Sequence, residues 1–144
     1  MADISRRGSA QWSGDLMKGA GTVSTESGTV QNAQYSFKTR FENGTGTNPE
    51  ELLAAAHAGC YSMALNAALE REGFVPEYVE TEGACTLEKV GEGMRISKLK
   101  LTTRAKVPGL DAAKFQELAE ATKTGCIVSQ AMSAVPMELD AQLV

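Results

Sequence analysis

Cysteines are the residues of this sequence whose type and setting point to chemistry. Cys60 falls inside a long apolar segment, and Cys126 follows Gly125 at the start of a short apolar one. A thiol becomes reactive when a cation, a helix dipole or a hydrogen-bond donor stabilises its thiolate. A cysteine at the start of a helix lies at the positive end of the helix dipole, which stabilises its thiolate. For Cys60, the best candidate for a stabilising cation, judged by its position in the sequence, is Arg40. Two distant thiols in activating settings indicate a peroxidatic and a resolving cysteine.

Each of these residues also has a purely structural interpretation. Buried cysteines often act as small hydrophobic side chains, which would suit Cys60. Cys126 could pack beside the apolar residues that follow it, and Arg40 could be a solvated arginine on an edge strand. The third cysteine, Cys85, lies on an alternating strand with no activating neighbour, so we interpret it as a bystander.

The single histidine offers a different chemistry. His57 precedes Cys60 by three residues, so on a helix the two side chains share a face. That spacing would permit a Cys-His hydrolase pair, although no orienting Asp or Asn is identifiable. One histidine and no Cys-x-x-Cys spacing also give no zinc template. We therefore expect no metal site, and the alternative that stays open is a site made of carboxylates alone.

Composition narrows the class of protein. The 144 residues suit one domain with a real core. Their net charge of −4 is opposite in sign to that of nucleic-acid binders. The N-terminus lacks an apolar signal segment, and the apolar run at 52–56 is far shorter than a membrane span. We therefore expect a cytoplasmic protein with neither nucleic acid nor membrane as a partner, in a compartment that keeps thiols reduced.

Residues 48–73 give the strongest element signals and contain Cys60. Asn48 suits the N-cap position, and Pro49 suits the first turn of the helix. The adjacent Glu50 and Glu51 suit the positive end of the helix dipole, and Gly73 marks the end of the helix. The middle is apolar or small nearly all round, which predicts a central helix buried on most faces.

Strands and shorter helices must surround that helix. Residues 1–47 form three short alternating stretches, the last being 34–41 with Arg40 on its polar face. Large apolar residues are few there, which suggests an intimate dimer. Residues 81–107 predict a hairpin that turns near 91–93. Within 111–144 we expect a helix from Asp111 with Gly125 as C-cap, a short helix from Cys126, and a final strand.

Two motifs carry a family resemblance, Thr47-Asn-Pro-Glu-Glu-Leu-Leu-Ala-Ala-Ala-His-Ala-Gly-Cys60 and Gly125-Cys-Ile-Val-Ser-Gln130. With them the sequence resembles the osmotically inducible protein C family, close kin of the organic hydroperoxide resistance proteins, over essentially the whole chain. The resemblance implies a single α+β domain over residues 1–144, with antiparallel sheets around a buried central cysteine helix. It also implies an intertwined homodimer with two active sites at the subunit interface.

Function and site residues follow from the same resemblance. It implies a thiol peroxidase that reduces organic hydroperoxides, and hydrogen peroxide less readily, in oxidative and osmotic stress. Cys60 would be the peroxidatic thiol and Cys126 the resolving thiol. Arg40 would hold Cys60 as thiolate and Glu50 would position Arg40, although the adjacent Glu51 could be confused with it.

Cofactors and partners are implied as well. No metal, haem or flavin is needed, and an external dithiol, possibly on a lipoylated protein, would reduce the disulfide. The main alternative is a non-catalytic stress-response dimer that binds an apolar ligand at its interface, with thiols that only sense oxidation.

Overall fold

The computed structural model describes residues 2–144 and divides at Leu52 and Leu53 into two compact units. Among those residues the strands form two three-stranded sheets, one in each unit. Together with the helices this confirms the α+β class that the family resemblance implies.

The first unit contains a small antiparallel sheet. Its elements are β1 (Gly8–Ser13), β2 (Ala20–Thr25), β3 (Ala33–Tyr35) and a short helix, α1 (Phe37–Phe41). Trp12 of β1 and Tyr35 of β3 pack against each other across the sheet, with ring centroids 5.4 Å apart and ring planes tilted by 58°. Gly21 lies beneath this pair, and a Cβ there would come within 2.5 Å of the Tyr35 ring.

The predicted strand over 34–41 is wrong beyond Tyr35, because the chain turns into helix α1. Ser36 is the N-cap: its side chain accepts a hydrogen bond from the Thr39 amide, and the Thr39 hydroxyl accepts one from the Ser36 amide. This reciprocal pair is a capping box. Phe37 and Phe41 meet one helical turn apart, with centroids at 4.8 Å. Arg40 therefore lies on a helix and not on a strand.

Helix α2 (Pro49–Arg71) has the ends that the sequence predicts. The Asn48 side chain accepts a hydrogen bond from the Glu51 amide at 2.8 Å. At the other end, Gly73 has a φ of 88°, a conformation that glycine adopts without a Cβ penalty.

The second unit is built on the predicted hairpin. Strand β4 (Tyr78–Val90) pairs antiparallel with β5 (Gly93–Lys106) around Gly91, and β6 (Met137–Leu143) pairs with β5 in parallel. The parallel pairing departs from the expected antiparallel arrangement. It arises because α3 (Ala112–Gly125) and α4 (Ile127–Ala131) lie between β5 and β6 and return the chain to the starting end of β5. Asp111 caps α3, whereas Gly125 is its last residue and Cys126 its C-cap.

The core of the second unit lies between α2, α3 and the sheet. It is centred on fully buried side chains, namely Tyr61, Leu65, Leu69, Leu101 and Phe115. The Tyr61 hydroxyl donates a hydrogen bond to the Ala119 carbonyl at 2.9 Å, which ties α2 to α3.

Helix α2 is buried on one face only within the single chain, so the expectation of burial on most faces is not met there. Leu53 and Met63 are 37% and 79% exposed. The helix is 23 residues long and contains an 18-residue apolar segment, a length and composition found both in membrane-spanning helices and in core helices of soluble proteins. Only 22% of this apolar segment is buried, so it presents an uncovered apolar surface.

Candidate active site

Cys60 and Cys126 meet in the second unit, although they lie on different helices. Cys60 is in the middle of α2 and is partly buried, while Cys126 is 1% exposed. Cys126 occupies the junction where α3 ends and α4 begins, with φ −58° and ψ 136°. This extended residue breaks the helical path and directs the following turn toward α2.

The two sulfur atoms are 3.0 Å apart and not bonded to each other. A disulfide has a sulfur separation of about 2.05 Å, so the reduced thiols need to move by only about 1 Å to join. The Val128 amide, in the first turn of α4, donates to the Cys60 sulfur at 3.5 Å. The two thiols thus contact each other beside the start of a helix.

Burial and mutual contact shift the pKa values of the pair in opposite directions. Burial, followed by the hydrogen bond and the charge of Cys126, raises the pKa of Cys60. For Cys126, burial acts upward, but hydrogen bonds from Cys60, from the amide and hydroxyl of Ser129 and from the Val128 amide lower its pKa overall.

Arg40 and Glu50 meet in the first unit. The Arg40 Nε and Nη2 atoms both donate to Glu50 Oε1, at 3.0 and 2.8 Å. Glu50 is 6% exposed, whereas the Arg40 side chain is 42% exposed. A buried carboxylate thus fixes the orientation of a guanidinium that stays accessible.

The neighbouring carboxylate has another partner. Glu51 accepts a hydrogen bond from the Thr47 hydroxyl at 2.6 Å. Of the two adjacent glutamates, Glu50 is therefore the one that contacts Arg40. In the described chain, Glu50 Oε2 is buried without a hydrogen-bond partner.

Aromatic side chains surround the exposed side of Arg40. They line a cavity of about 270 Å³ together with the arginine, and include Trp12, Tyr35, Phe37 and Phe41. The guanidinium carbon lies 5.6 Å from the Phe41 ring centroid, within the range of a cation–π interaction. A cavity that combines aromatic walls with one fixed cation suits a molecule with an apolar body and a polar head.

His57 has a different partner from the one that its spacing suggests. Its Nε2 atom lies 2.8 Å from the Ser129 hydroxyl, and both residues are buried. Ser129 was not a predicted site residue. Its sequence signal is its position three residues after Cys126, in the first turn of the short helix. The remaining cysteine, Cys85, lies on β4 opposite Leu99.

Over residues 2–144, no group of three or more His, Cys, Asp or Glu side chains is placed so that it could hold a metal ion. The chemistry that these residues offer is thiol chemistry. A reduced pair of thiols in contact, carried by two helices on an α+β scaffold, defines a thiol redox protein.

Comparison with known proteins identifies the family. The sequence profile described as OsmC-like protein matches residues 42–140. Peroxiredoxin OsmC of Escherichia coli (strain K12) is 47% identical over 140 residues, which cover 97% of each chain. This chain therefore belongs to the OsmC-like protein family, which confirms the resemblance seen in the sequence.

Further relatives agree in sequence and in fold. The organic hydroperoxide resistance protein OhrB of Bacillus subtilis (strain 168) is 31% identical over 112 residues, or 78% of this chain and 81% of that protein. Its crystal structure superposes with a TM-score of 0.70 at 24% identity, covering 98% of each chain. An OsmC-like protein from Vibrio cholerae, VCA0330, has the same fold at 12% identity, with a TM-score of 0.74 and coverage of 96% and 99%.

Proposed function

We propose that this protein is a two-cysteine thiol peroxidase that reduces organic hydroperoxides, and hydrogen peroxide less readily, to alcohols and water. The observation that carries the proposal is the 3.0 Å approach of the Cys60 and Cys126 sulfur atoms. Peroxidase activity as a class is supported by the full-length similarity to a peroxiredoxin. The substrate class is supported by the relatives named for organic hydroperoxide resistance.

The proposed cycle has three balanced steps. The Cys60 thiolate attacks the distal peroxide oxygen, the O–O bond breaks, and the alcohol leaves with a proton, giving a Cys60 sulfenic acid. The Cys126 thiol then displaces the hydroxyl group as water and forms the Cys60–Cys126 disulfide. An external dithiol finally reduces this disulfide and is itself oxidised to a disulfide.

Accessibility supports Cys60 as the thiol that meets peroxide. Cys60 is partly exposed and Cys126 is 1% exposed, so a peroxide oxygen can reach the former more easily. The amide of Val128 aims at the Cys60 sulfur and would stabilise negative charge there. The buried Cys126 is protected from peroxide and is already in place to resolve the sulfenic acid.

The catalytic roles of Arg40 and Glu50 are part of the proposal. Arg40 would stabilise the Cys60 thiolate and the peroxide oxygens, because its charge persists at any working pH. Glu50 would hold the guanidinium in one orientation, as its two short hydrogen bonds indicate. The aromatic cavity beside Arg40 favours alkyl or lipid-like peroxides over charged metabolites.

The assembled protein is proposed to be a homodimer with two active sites at the subunit interface, in which residues 1–144 act as one domain. The uncovered apolar face of α2 supports this assembly. We further propose a cytoplasmic location, a role in oxidative and osmotic stress, and a lipoylated protein as the source of the dithiol.

The test is consumption of cumene hydroperoxide by purified protein, with dihydrolipoate, with glutathione and without reductant. We expect turnover with the dithiol, and a Cys60–Cys126 bridge on peptide mapping when reductant is absent. Cys60→Ser should abolish consumption, Cys126→Ser should inactivate during turnover, and Cys85→Ser should behave as the parent protein. Undiminished turnover by Cys60→Ser would refute the mechanism. Binding of apolar ligands without turnover would favour the non-catalytic dimer instead.

A further inference from the structure

The start of helix α4 is held against helix α2 by hydrogen bonds that differ in one respect, which is whether they involve a reacting sulfur. The Cys60 sulfur lies 3.0 Å from the Cys126 sulfur and 3.5 Å from the Val128 amide nitrogen. In contrast, His57 Nε2 lies 2.8 Å from the Ser129 hydroxyl. Both partners of this last contact are buried, with His57 2% and Ser129 3% exposed.

We propose that the His57–Ser129 contact is an anchor that holds Cys126 beside Cys60 while the two thiols change their chemical form. His57 is then a positioning residue for disulfide formation, and it acts through Ser129 and the turn of helix that follows Cys126. The proposal rests on the proposed function for its catalytic meaning, whereas the anchor itself is a feature of the fold.

Contacts that use the Cys60 sulfur change during the proposed cycle. Oxidation places an oxygen atom on this sulfur, so the approach of Cys126 and the hydrogen bond from Val128 are both altered. The imidazole of His57 and the hydroxyl of Ser129 keep their chemical form in every step. The anchor is therefore available in the thiol, sulfenic acid and disulfide states alike.

The anchor lies one helical turn from the reacting pair on each helix. His57 precedes Cys60 by three residues on α2, and Ser129 follows Cys126 by three residues in α4. Residues three apart on a helix lie on the same face. A hydrogen bond between His57 and Ser129 therefore brings the neighbouring faces with Cys60 and Cys126 together.

Hydrogen bonds within the turn connect the anchor to Cys126. The Gln130 side chain donates to the Gly125 carbonyl at 2.7 Å, and the Gln130 amide donates to the Cys126 carbonyl at 2.9 Å. These bonds close the chain around Cys126, whose own backbone is extended with ψ 136°. The Ser129 hydroxyl also lies 3.5 Å from the Met137 sulfur on β6. Holding Ser129 in place thus holds the Cys126 sulfur as well.

The step that the anchor supports is attack of Cys126 on oxidised Cys60. The Cys126 thiolate attacks the sulfur of the sulfenic acid, the S–S bond forms and the S–O bond breaks. The departing hydroxide combines with the proton released by Cys126 and leaves as water. This attack needs the two sulfur atoms close together, so its rate depends on the fraction of molecules in which the turn lies against α2.

The stability of the disulfide tests the anchor without any peroxide. In a Cys85→Ser background, oxidised glutathione converts the dithiol pair to the disulfide and yields two molecules of reduced glutathione. The equilibrium ratio gives the effective concentration of the pair. A merely structural contact would stabilise the dithiol and disulfide proteins equally and leave this value unchanged. Loss of an anchor lets the turn of the dithiol protein relax away from α2, whereas the disulfide bond prevents that relaxation.

Four substitutions in that background separate positioning from packing. His57→Leu and Ser129→Ala should lower the effective concentration about tenfold, which is about 30 mV for a two-electron couple. His57→Gln places an amide nitrogen near the position of Nε2 and should restore most of the loss. The matched control is Ser62→Ala, which removes a hydroxyl of α2 that bonds Thr81 and should leave the value unchanged.

The outcomes of this equilibrium measurement are decisive in both directions. An unchanged effective concentration in Ser129→Ala would overturn the proposal, as would an equal loss in Ser62→Ala. Equal losses in His57→Leu and His57→Gln would also overturn it, because the amide would then not replace the imidazole. If His57→Leu does not fold, Ser129→Ala and His57→Gln give the answer.

Single-turnover kinetics then connect the anchor to resolution. After one equivalent of cumene hydroperoxide, Ser129→Ala should convert its Cys60 sulfenic acid to the disulfide about tenfold more slowly than the parent protein, as measured by dimedone trapping. A parental lifetime of the sulfenic acid would count against the anchor. Failure of the parent protein to consume peroxide would refute the proposed function, and the glutathione equilibrium would still decide whether His57 and Ser129 position the pair.

Discussion

Arg40 and Glu50 form an asymmetric ion pair. Both guanidinium hydrogen bonds reach the same carboxylate oxygen, Oε1, while Oε2 is buried and, in the part of the chain that the structure describes, has no partner. A symmetric fork would use both oxygens. The arginine is thus held by one carboxylate oxygen, so its orientation depends on the charge of a single glutamate.

Replacing Glu50 should therefore impair catalysis more than folding. In Glu50→Gln, neutral hydrogen bonds replace charge-assisted ones, and we expect kcat/KM for cumene hydroperoxide to fall about tenfold. The matched control is Glu51→Gln, since Glu51 bonds Thr47 and not Arg40. Equal losses in the two variants would show that the Arg40 contact has no special role.

The pKa of Cys60 should fall when Cys126 is removed. Burial raises this pKa most, and the hydrogen bond and charge of Cys126 raise it further. Cys126→Ser eliminates that charge, so the Cys60 thiolate should appear at lower pH than in the parent protein. The measurement is the pH dependence of iodoacetamide labelling at Cys60, followed by mass spectrometry with Cys85→Ser as the control. A midpoint that rises or stays constant would contradict the coupling between the two thiols.

Gly83 should be intolerant of a side chain. It lies on β4 where the strand crosses α2, and a Cβ there would come within 2.5 Å of the Ala54 carbonyl oxygen. Gly83→Ala should lower the free energy of unfolding by about 1–3 kcal/mol, the usual cost of overpacking. Gly93→Ala is the control in the neighbouring strand, because no atom lies within 4 Å of its added Cβ. Urea denaturation compares them, and similar losses would argue against close helix–sheet contact as the cause.

The exposed face of α2 should carry the proposed dimer contact. Met63 is 79% exposed on this helix, and Met63→Glu should convert the dimer to monomer because it would bury a charge without a partner. Val75 is exposed to a similar degree, 73%, in the segment after the helix, so Val75→Glu should stay dimeric. Light scattering after size-exclusion chromatography gives the mass of each. A monomeric parent protein would refute the homodimer, and a dimeric Met63→Glu would place the contact elsewhere.

Local signals predicted the elements whose ends are fixed by their own residues. Asn48 and Gly73 frame α2, Gly91 turns the hairpin, and Asp111 caps α3, each through contacts a few residues away. The prediction of a strand over 37–41 was wrong because Phe37 and Phe41 fit both the alternation of a strand and the four-residue spacing of a helix. Only the Ser36 and Thr39 capping pair decides between them, and the alternating pattern obscured it.

Contacts between residues far apart in the sequence could not be predicted from local sequence patterns. The strand at the end of the chain was predicted from alternation, but alternation does not say which neighbour it pairs with or in which direction. Ser129 meets His57 across 72 positions, and no spacing rule connects them. The family resemblance brought Cys60 and Cys126 together in advance, whereas the direction of their pKa shifts needed the geometry.

The contact between Cys60 and Cys126 also has a thermodynamic consequence. The two residues are 66 positions apart, so a bond between them would close almost half of the chain into a loop. Tying the unfolded chain in this way removes conformational entropy worth about 4 kcal/mol. Each catalytic turnover would therefore alternate between a more and a less heat-resistant protein, and a melting curve would report the redox state of the pool.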